Sequence, residues 1–335
     1  MNSEARLAVI ILNWNGREIM EKFLPSVVEN TKGEEVRVIV ADNGSTDDSV
    51  EWLRSRYPEV GLITFEENYG FAGGYDRAIR MVDAEYTLLL NSDVEVPPGW
   101  WQPLLKFMDT HPEAGAVQPK ILAYRDKRKF EHAGAAGGLL DHLGYPYCHG
   151  RVFNDVEEDN GQFDEDMGVK VAWASGAAMM VRTKAFMEAG GLDERFFAHM
   201  EEIDLCWRMQ LAGYGIYALS KSVVYHYGGG SLAYGNPRKT YLNFRNNLLM
   251  LHKNLPLKTG KRVLIARRLA DTLGFFFFLL RGKWGDAKAV VKAHNDFRKM
   301  RKEYTVFPTK DIRKEIPGTE RYIYRDFAIG KLRRK

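Results

Sequence analysis

Four short apolar runs, separated by amphipathic stretches within the first ninety residues, restrict this chain to few folds. Residues 7–12 (LAVIIL), 36–41 (VRVIVA), 60–65 (VGLITF) and 86–90 (YTLLL) are rich in β-branched residues and leucine, as strands buried on both faces must be. Between them, residues 17–29 place Ile19, Met20, Phe23, Leu24 and Val27 on one helical face. Residues 48–56 carry Val50 and Leu53, and 72–82 read as a third helix. This β-α-β-α-β-α-β order predicts an α/β fold with a mainly parallel central sheet, flanking helices and right-handed crossovers. Ligands of such sheets bind beyond the carboxyl ends of the strands, so the polar residues there are the first functional candidates.

At 335 residues, the chain can form one large α/β domain or two of ordinary size. Two cysteines, Cys148 and Cys206, exclude a disulfide scaffold. Without C-x-x-C spacing they encode neither a thiol redox motif nor a structural zinc site. Glu4 and a polar start precede the first apolar run, so no secretory signal is read and a reducing, cytoplasmic location is expected.

The net charge of +4 conceals an asymmetry. Residues 1–250 hold 25 Lys and Arg against 36 Asp and Glu, a balance of −11, while residues 251–335 hold 23 against 8, a balance of +15. An acidic body with a basic tail points to two jobs, the tail meeting nucleic acid, an anionic membrane surface, or nothing, as a solvated basic face.

Beyond residue 122 the pattern loosens. Residues 123–170 are rich in Gly and His, include the acidic stretch 155–166 (DVEEDNGQFDED), and read as a surface loop. Strand character returns at 171–182, followed by helices at 183–189 and from Glu202 to Leu211, the latter ended by Gly213. The tail, 238–304, reads as helical, with Val263, Ala266, Ala270, Leu273, Phe277 and Leu280 at steps of three and four. Its apolar run 273–280 is eight residues long, short of the about 18–20 that a spanning helix needs. Arg267, Arg268, Arg281 and Lys283 flank this run. Basic flanks on an aromatic face fit a helix lying on anionic lipid; packing on the chain's own body or on a second subunit is the competing use.

Five segments carry chemistry. Asp42, directly after the second strand in VADNGSTDDS (40–49), can accept hydrogen bonds from a base or ribose, or merely cap the next turn. In ENYGFAGGYDRAI (67–79), Gly70, Gly73 and Gly74 sit before a helix, where free N–H groups can face phosphates; a close-packed turn is the alternative. An apolar strand ends in Asn91, Ser92, Asp93 and Glu95, and a carboxylate there must be exposed in a cleft or bound to a cation. Glu201, Glu202 and Asp204 open a helix after two aromatic residues, where acids also complement the helix dipole. His226 ends a strand-like run ahead of three glycines, as a structural residue or a metal ligand.

Taken in order, these segments resemble the family-2 inverting glycosyltransferases of the GT-A fold, and are most similar to the bacterial rhamnosyltransferase branch. The matching pieces are IILNWNG (10–16), VADNGSTDDS, ENYGFAGGYDRAI, LLLNSDVEV (88–96), SGAAMMVRTKAF (175–186), GGLDERFFAHMEEIDLCWRMQLAGY (190–214) and YHYGGGS (225–231). The resemblance implies a catalytic domain over 1–235, with its nucleotide-binding half at 1–96 and its acceptor half at 97–235. The helical, basic, membrane-associating extension would be 236–335. Asp42 would contact the base, while Asn13, Asn15, Asn68, Gly70, Gly73, Gly74 and Asn91 would line the nucleotide pocket. Asp93 matches the last acid of the family's Asp-x-Asp metal motif, with Asn91 in its first position, and His226 matches a histidine that completes the metal site. Glu202 falls where the family has its base, Glu201 being the alternative, and Asp204 is an acceptor-contacting or helix-start acid.

The expected cofactor is Mg²⁺ or Mn²⁺. The expected donor is dTDP-rhamnose, or else UDP-galactofuranose or UDP-N-acetylglucosamine, and the acceptor a glycan or lipid-linked glycan. The expected setting is the cytoplasmic face of the membrane, with no nucleic-acid partner and a homodimer as the other use of the tail. A sugar-nucleotide pyrophosphorylase would carry a Gly-rich loop with Arg and Lys after the first strand, which residues 13–17 (NWNGR) do not supply. A non-catalytic carbohydrate binder would have no need of Asp93, Glu202 and His226.

Overall fold

The computed structural model describes residues 5–131, 134–152, 155–228 and 236–328. The alternation expected of the first ninety residues is present. β1 (Leu7–Asn13), α1 (Arg17–Asn30), β2 (Val36–Asp42), α2 (Ser49–Arg56), β3 (Gly61–Thr64), α3 (Gly70–Arg80) and β4 (Tyr86–Asn91) follow in that order. Side chains alternate across β1: Ala8 and Ile10 join a core with Tyr75, Ala78 and Ile79 of α3. Leu7, Val9 and Ile11 face a second core with Met20, Leu24 and Val27 of α1. A strand covered on both faces has no solvent side, which is why its sequence is apolar throughout.

The sheet continues through β5 (Val94–Glu95), β6 (Ala114–Ala123), β7 (Asp126–Phe130), β12 (Val169–Lys170), β13 (Ala178–Arg182) and β14 (Gly215–His226), with α4 (Gln102–Thr110), α5 (Thr183–Glu188) and α6 (Glu201–Leu211) on its faces. Its order is β12-β14-β6-β13-β4-β1-β2-β3, with β5 on β14 and β7 on β6. β3, β2, β1 and β4 run parallel, and so do β6 and β14. β13 runs antiparallel between β4 and β6. The register sets Asn13 opposite Asp42 and Leu12 opposite Asn91, so the three strand ends finish in step. His226 finishes opposite Val94 of β5 and Ala123 of β6.

Three expectations change. Residues 123–170 are not one surface loop: besides β7 and β12 they form a small sheet of β8 (Gly138–Leu140), β9 (Pro146–Cys148), β10 (Arg151–Val152) and β11 (Asp155–Val156). Strands of two or three residues are too short for period-two alternation to be read. Lys120 holds the acidic stretch, 2.8 Å from Asp159 and 2.6 Å from Asp164. The strand expected over 171–182 begins only at Ala178, because the backbone of Val171 and Ala172 bonds to Ile216 and Gly138 instead. The third helix starts at Gly70 rather than at residue 72, so all three glycines lie inside it.

The tail forms α7 (Pro237–Asn254), α8 (Leu257–Leu280), α9 (Trp284–Met300) and the short α10 (Ile323–Ala328). α7 is built onto the body: its Leu248, Leu249, Met250 and Leu251 share a core with Ile203, Leu205 and Trp207 of α6. The boundary drawn at residue 235, and Gly229–Ser231 of the glycine motif, lie outside the described residues.

Candidate active site

The ends of β1 and β2 make the first part of the site. Asn13 and Asp42 are buried there, with Asn13 Nδ2 donating to Asp42 Oδ1 at 2.9 Å. The backbone N–H of Ser45 donates to Asp42 Oδ2 at 3.0 Å. Each carboxylate oxygen keeps an acceptor position for a further donor. Asn13 Oδ1 is buried with no partner among the described residues. It points at Gly16, where a Cβ would stand 2.5 Å away. Asn15 adopts φ +48° and accepts the backbone N–H of Thr46 at 2.7 Å, tying the turn after β1 to the turn after β2.

The glycine segment packs rather than cradles. Gly70, Gly73 and Gly74 are buried within α3. A Cβ on Gly74 would come 2.7 Å from Leu12, and one on Gly70 (φ +73°) would come 2.6 Å from Phe197. Only glycine lets the helix approach that closely. Asn68 Oδ1 accepts the Gly70 N–H at 2.8 Å and Asn43 Nδ2 at 3.1 Å. Asn43 also donates to the Gly70 carbonyl at 3.0 Å. Sequence reasoning passed over Asn43, although it stands directly beside Asp42.

The second part lies at the ends of β4 and β14. Asp93, His226 and Glu131 are all buried. His226 Nε2 is 3.1 Å from Asp93 Oδ1, and Nδ1 is 3.1 Å from Glu131 Oε2. Asn91 Nδ2 lies 3.4 Å from His226 Nε2. Burial disfavours the imidazolium, yet the hydrogen bonds and charges of Asp93 and Glu131 outweigh it and raise His226 to about 10. Glu131 was not foreseen, because it sits in the irregular segment with no motif around it. Among the described residues no group of three or more His, Cys, Asp or Glu converges to hold a metal ion. Asp93 and His226 nevertheless form an oxygen-and-nitrogen edge that suits Mg²⁺ or Mn²⁺ if diphosphate oxygens and water fill the remaining positions. Glu131 on the far nitrogen would orient the imidazole of His226 toward such an ion.

The third part is the start of α6. Glu201 is buried, Glu202 keeps partial exposure, and Oε2 of each is buried without a hydrogen-bond partner among the described residues. Burial, then the neighbouring Glu202 charge, pushes Glu201 well above the usual carboxylate range. Burial raises Glu202 to about 7. Glu202 stands over Gly176, whose Cβ would lie 3.9 Å from its own. Ala177, next in the chain, accepts the N–H of Asn91 at 3.0 Å, so the Glu202 Cβ lies near the end of β4. Asp204 is different. It is fully buried and held by Arg208 at 2.9 Å, Lys253 at 3.1 Å and Asn254 at 2.7 Å, so it is a helix-start acid out of an acceptor's reach.

The profile of "Glycosyl transferase family 2" matches residues 8–182, more than half of the chain. The chain belongs to this family. Its GT-A architecture agrees with Staphylococcus aureus TarS 1–349 in complex with UDP-GlcNAc, at a TM-score of 0.57 and 18% identity over 87% of this chain and 80% of that one. It also agrees with the mannosyltransferase PcManGT from Pyrobaculum calidifontis in complex with GDP-Man and Mn²⁺, at a TM-score of 0.52 and 15% identity over 88% and 87%. Among curated relatives, the N-acetylglucosaminyl-diphospho-decaprenol L-rhamnosyltransferase of Mycobacterium tuberculosis is 30% identical over 66% of this chain and 76% of its own. This family-2 chain is therefore a glycosyltransferase, similar to the rhamnosyltransferase branch. Among its described residues no helix is long and apolar enough to cross a membrane.

Proposed function

We propose that the chain transfers rhamnose from dTDP-rhamnose, with inversion, to a lipid-linked or polysaccharide acceptor at the cytoplasmic face of a membrane. The observation that carries this reading is the Glu201–Glu202 pair: the Oε2 atom of each is buried without a hydrogen-bond partner among the described residues, and Glu202 stands over Gly176, next to the Ala177 carbonyl that holds the end of β4. A carboxyl raised to about 7 is matched to taking a proton from a sugar hydroxyl near neutral pH. Glu202 is the better base of the two, because it keeps an opening to solvent and Glu201 does not. Asn13 and Asp42 offer acceptors for the base or ribose. Asp93 and His226 would hold the divalent ion, which when bound neutralises charge on the departing diphosphate. His226 must lose its ring proton to ligate, while Glu131 keeps the imidazole in place. Attack by the activated hydroxyl opposite the leaving nucleotide inverts the anomeric carbon.

The rhamnose donor and the lipid-linked acceptor are supported by the name of the mycobacterial relative. A membrane site is supported by an exposed apolar stripe on α8, made of Ile265, Leu269, Leu273, Phe276 and Leu280 and continued by Trp284. The test is thermal stabilisation by nucleotide sugars with Mg²⁺ or Mn²⁺, followed by transfer to a polyprenyl-diphosphate-linked sugar. Stabilisation by dTDP-rhamnose and a product of inverted configuration support the reading. Stabilisation by UDP-galactofuranose or UDP-N-acetylglucosamine alone would move the donor to those sugars.

A further inference from the structure

The loop that delivers the acid pair is strained. Phe197 has φ +64° and ψ −60°, and the N–H of Ala198 reaches back to the Phe196 carbonyl at 2.8 Å. That is the rare γ-turn of positive φ, which L-residues avoid. His199 and Met200 follow at φ +69° and +73°, so three of the four residues before Glu201 have left-handed backbone. Strain of this kind persists only where the surroundings over-determine it.

Two elements hold this loop. On one side the N–H of Ala72 in α3 donates to the Phe197 carbonyl at 3.1 Å, and Gly70 leaves room for the Phe197 ring. On the other side stands α7. Asn246, fully buried, turns its Nδ2 to the carbonyls of Phe196 at 2.9 Å, Ala198 at 2.9 Å and His199 at 2.7 Å. Arg245 donates through Nε to Asn246 Oδ1 at 2.8 Å, which fixes the amide with its donors toward the loop. Its Nη2 reaches the carbonyls of Arg195 at 3.0 Å and Phe196 at 2.9 Å. The same helix grips α6 from behind, through Lys253 and Asn254 on Asp204. A γ-turn and successive left-handed residues form no regular ladder, so their carbonyls need donors from elsewhere, and α7 supplies them.

We propose that Asn246, oriented by Arg245, is a positioning residue for Glu202, so that the C-terminal extension completes the active site as well as meeting the acceptor's surroundings. This rests on Glu202 as the base. Without the amide the γ-turn relaxes, the first turn of α6 shifts, and the carboxyl gains water and loses its aim.

The test compares Asn246→Ala with wild type in the full chain. Donor affinity should stay within about twofold, since Asn246 bonds the loop before α6 and neither Asn13 nor Asp42, while kcat falls at least tenfold. The midpoint of the kcat–pH profile should move below the wild-type value as Glu202 is hydrated. A lower melting temperature with kcat and midpoint unchanged would make Asn246 a purely structural residue and overturn the proposal. Should Asn246→Ala not fold, Arg245→Lys is read by the same criteria, because it keeps the charge and loses the fork that fixes the amide. Glu202→Gln is measured alongside. If it retains turnover, the base assignment has failed; if it is inactive while Asn246→Ala is normal, only the positioning role has.

Discussion

His226 Nε2 lies 3.1 Å from Asp93 Oδ1, which brings two residues 133 positions apart to the same corner of the sheet. β5 pairs with the end of β14, and the N–H of Tyr227 bonds to the Asp93 carbonyl at 3.0 Å. The contact is therefore built into the backbone and not left to side-chain chance.

That corner predicts metal dependence. EDTA should abolish transfer, and Asp93→Ala should lower kcat by about 10²–10³-fold, the size typical of removing one group that stabilises developing charge. His226→Ala should weaken the response to Mg²⁺ or Mn²⁺ less completely. Titration of activity against each ion reads both, and full activity in EDTA would remove the metal from the account.

The base has its own signature. Glu202→Gln keeps the size of the side chain but cannot take a proton, so turnover should fall about 10²–10⁴-fold with donor affinity retained. Calorimetry with the nucleotide and single-turnover kinetics check the two halves. Should Glu201→Gln give this pattern in its place, the assignment is off by one residue. In wild type, kcat should rise with pH through about 7, where Glu202 becomes a carboxylate.

Stability should run the opposite way. Glu202 is raised from its usual 4.5 to about 7, so the folded chain binds that proton more tightly than the unfolded one. The stability it contributes is whole below about pH 4.5 and is lost as pH rises through about 7. Glu202→Gln stays neutral throughout. It should melt near wild type in acid and above it at pH 8, and equal melting curves at pH 8 would show that the carboxyl is not strained by burial.

The tail separates charge from apolar contact. Each Lys or Arg near an anionic surface adds about 1 kcal/mol that salt weakens, whereas apolar burial is not screened. Wild type should float with anionic liposomes, less so at high salt, and poorly with neutral ones. Phe275 and Phe278 are half-buried, so the informative variant replaces the exposed Leu269, Leu273, Phe276 and Leu280 with serine. It should keep only the salt-sensitive binding. Absence of wild-type flotation at low salt, with a changed oligomeric state in the variant, would assign the stripe to a second subunit.

Periodicity alone determined the α/β order of the first ninety residues and the strand ends at Asn13, Asp42 and Asn91. A strand covered on both faces is apolar throughout, and its polar terminus marks where the cover stops. The acids of α6 and His226 were legible as residues, because each breaks the pattern around it. Tertiary structure decided their partners. Glu131 reaches His226 from 95 positions away and Asn246 reaches the γ-turn from α7, and no local pattern encodes contacts at that distance. Arg267 shows the same limit. Read from the sequence as a basic flank for lipid, it is fully buried, stacked 3.7 Å from the Tyr145 ring centroid and paired with Asp271 at 3.3 Å. Helical spacing places Arg267 on a face of α8. Only the packing of α8 against the small sheet and α7 decides that this face is interior, because burying a charge requires partners that the fold must bring from elsewhere.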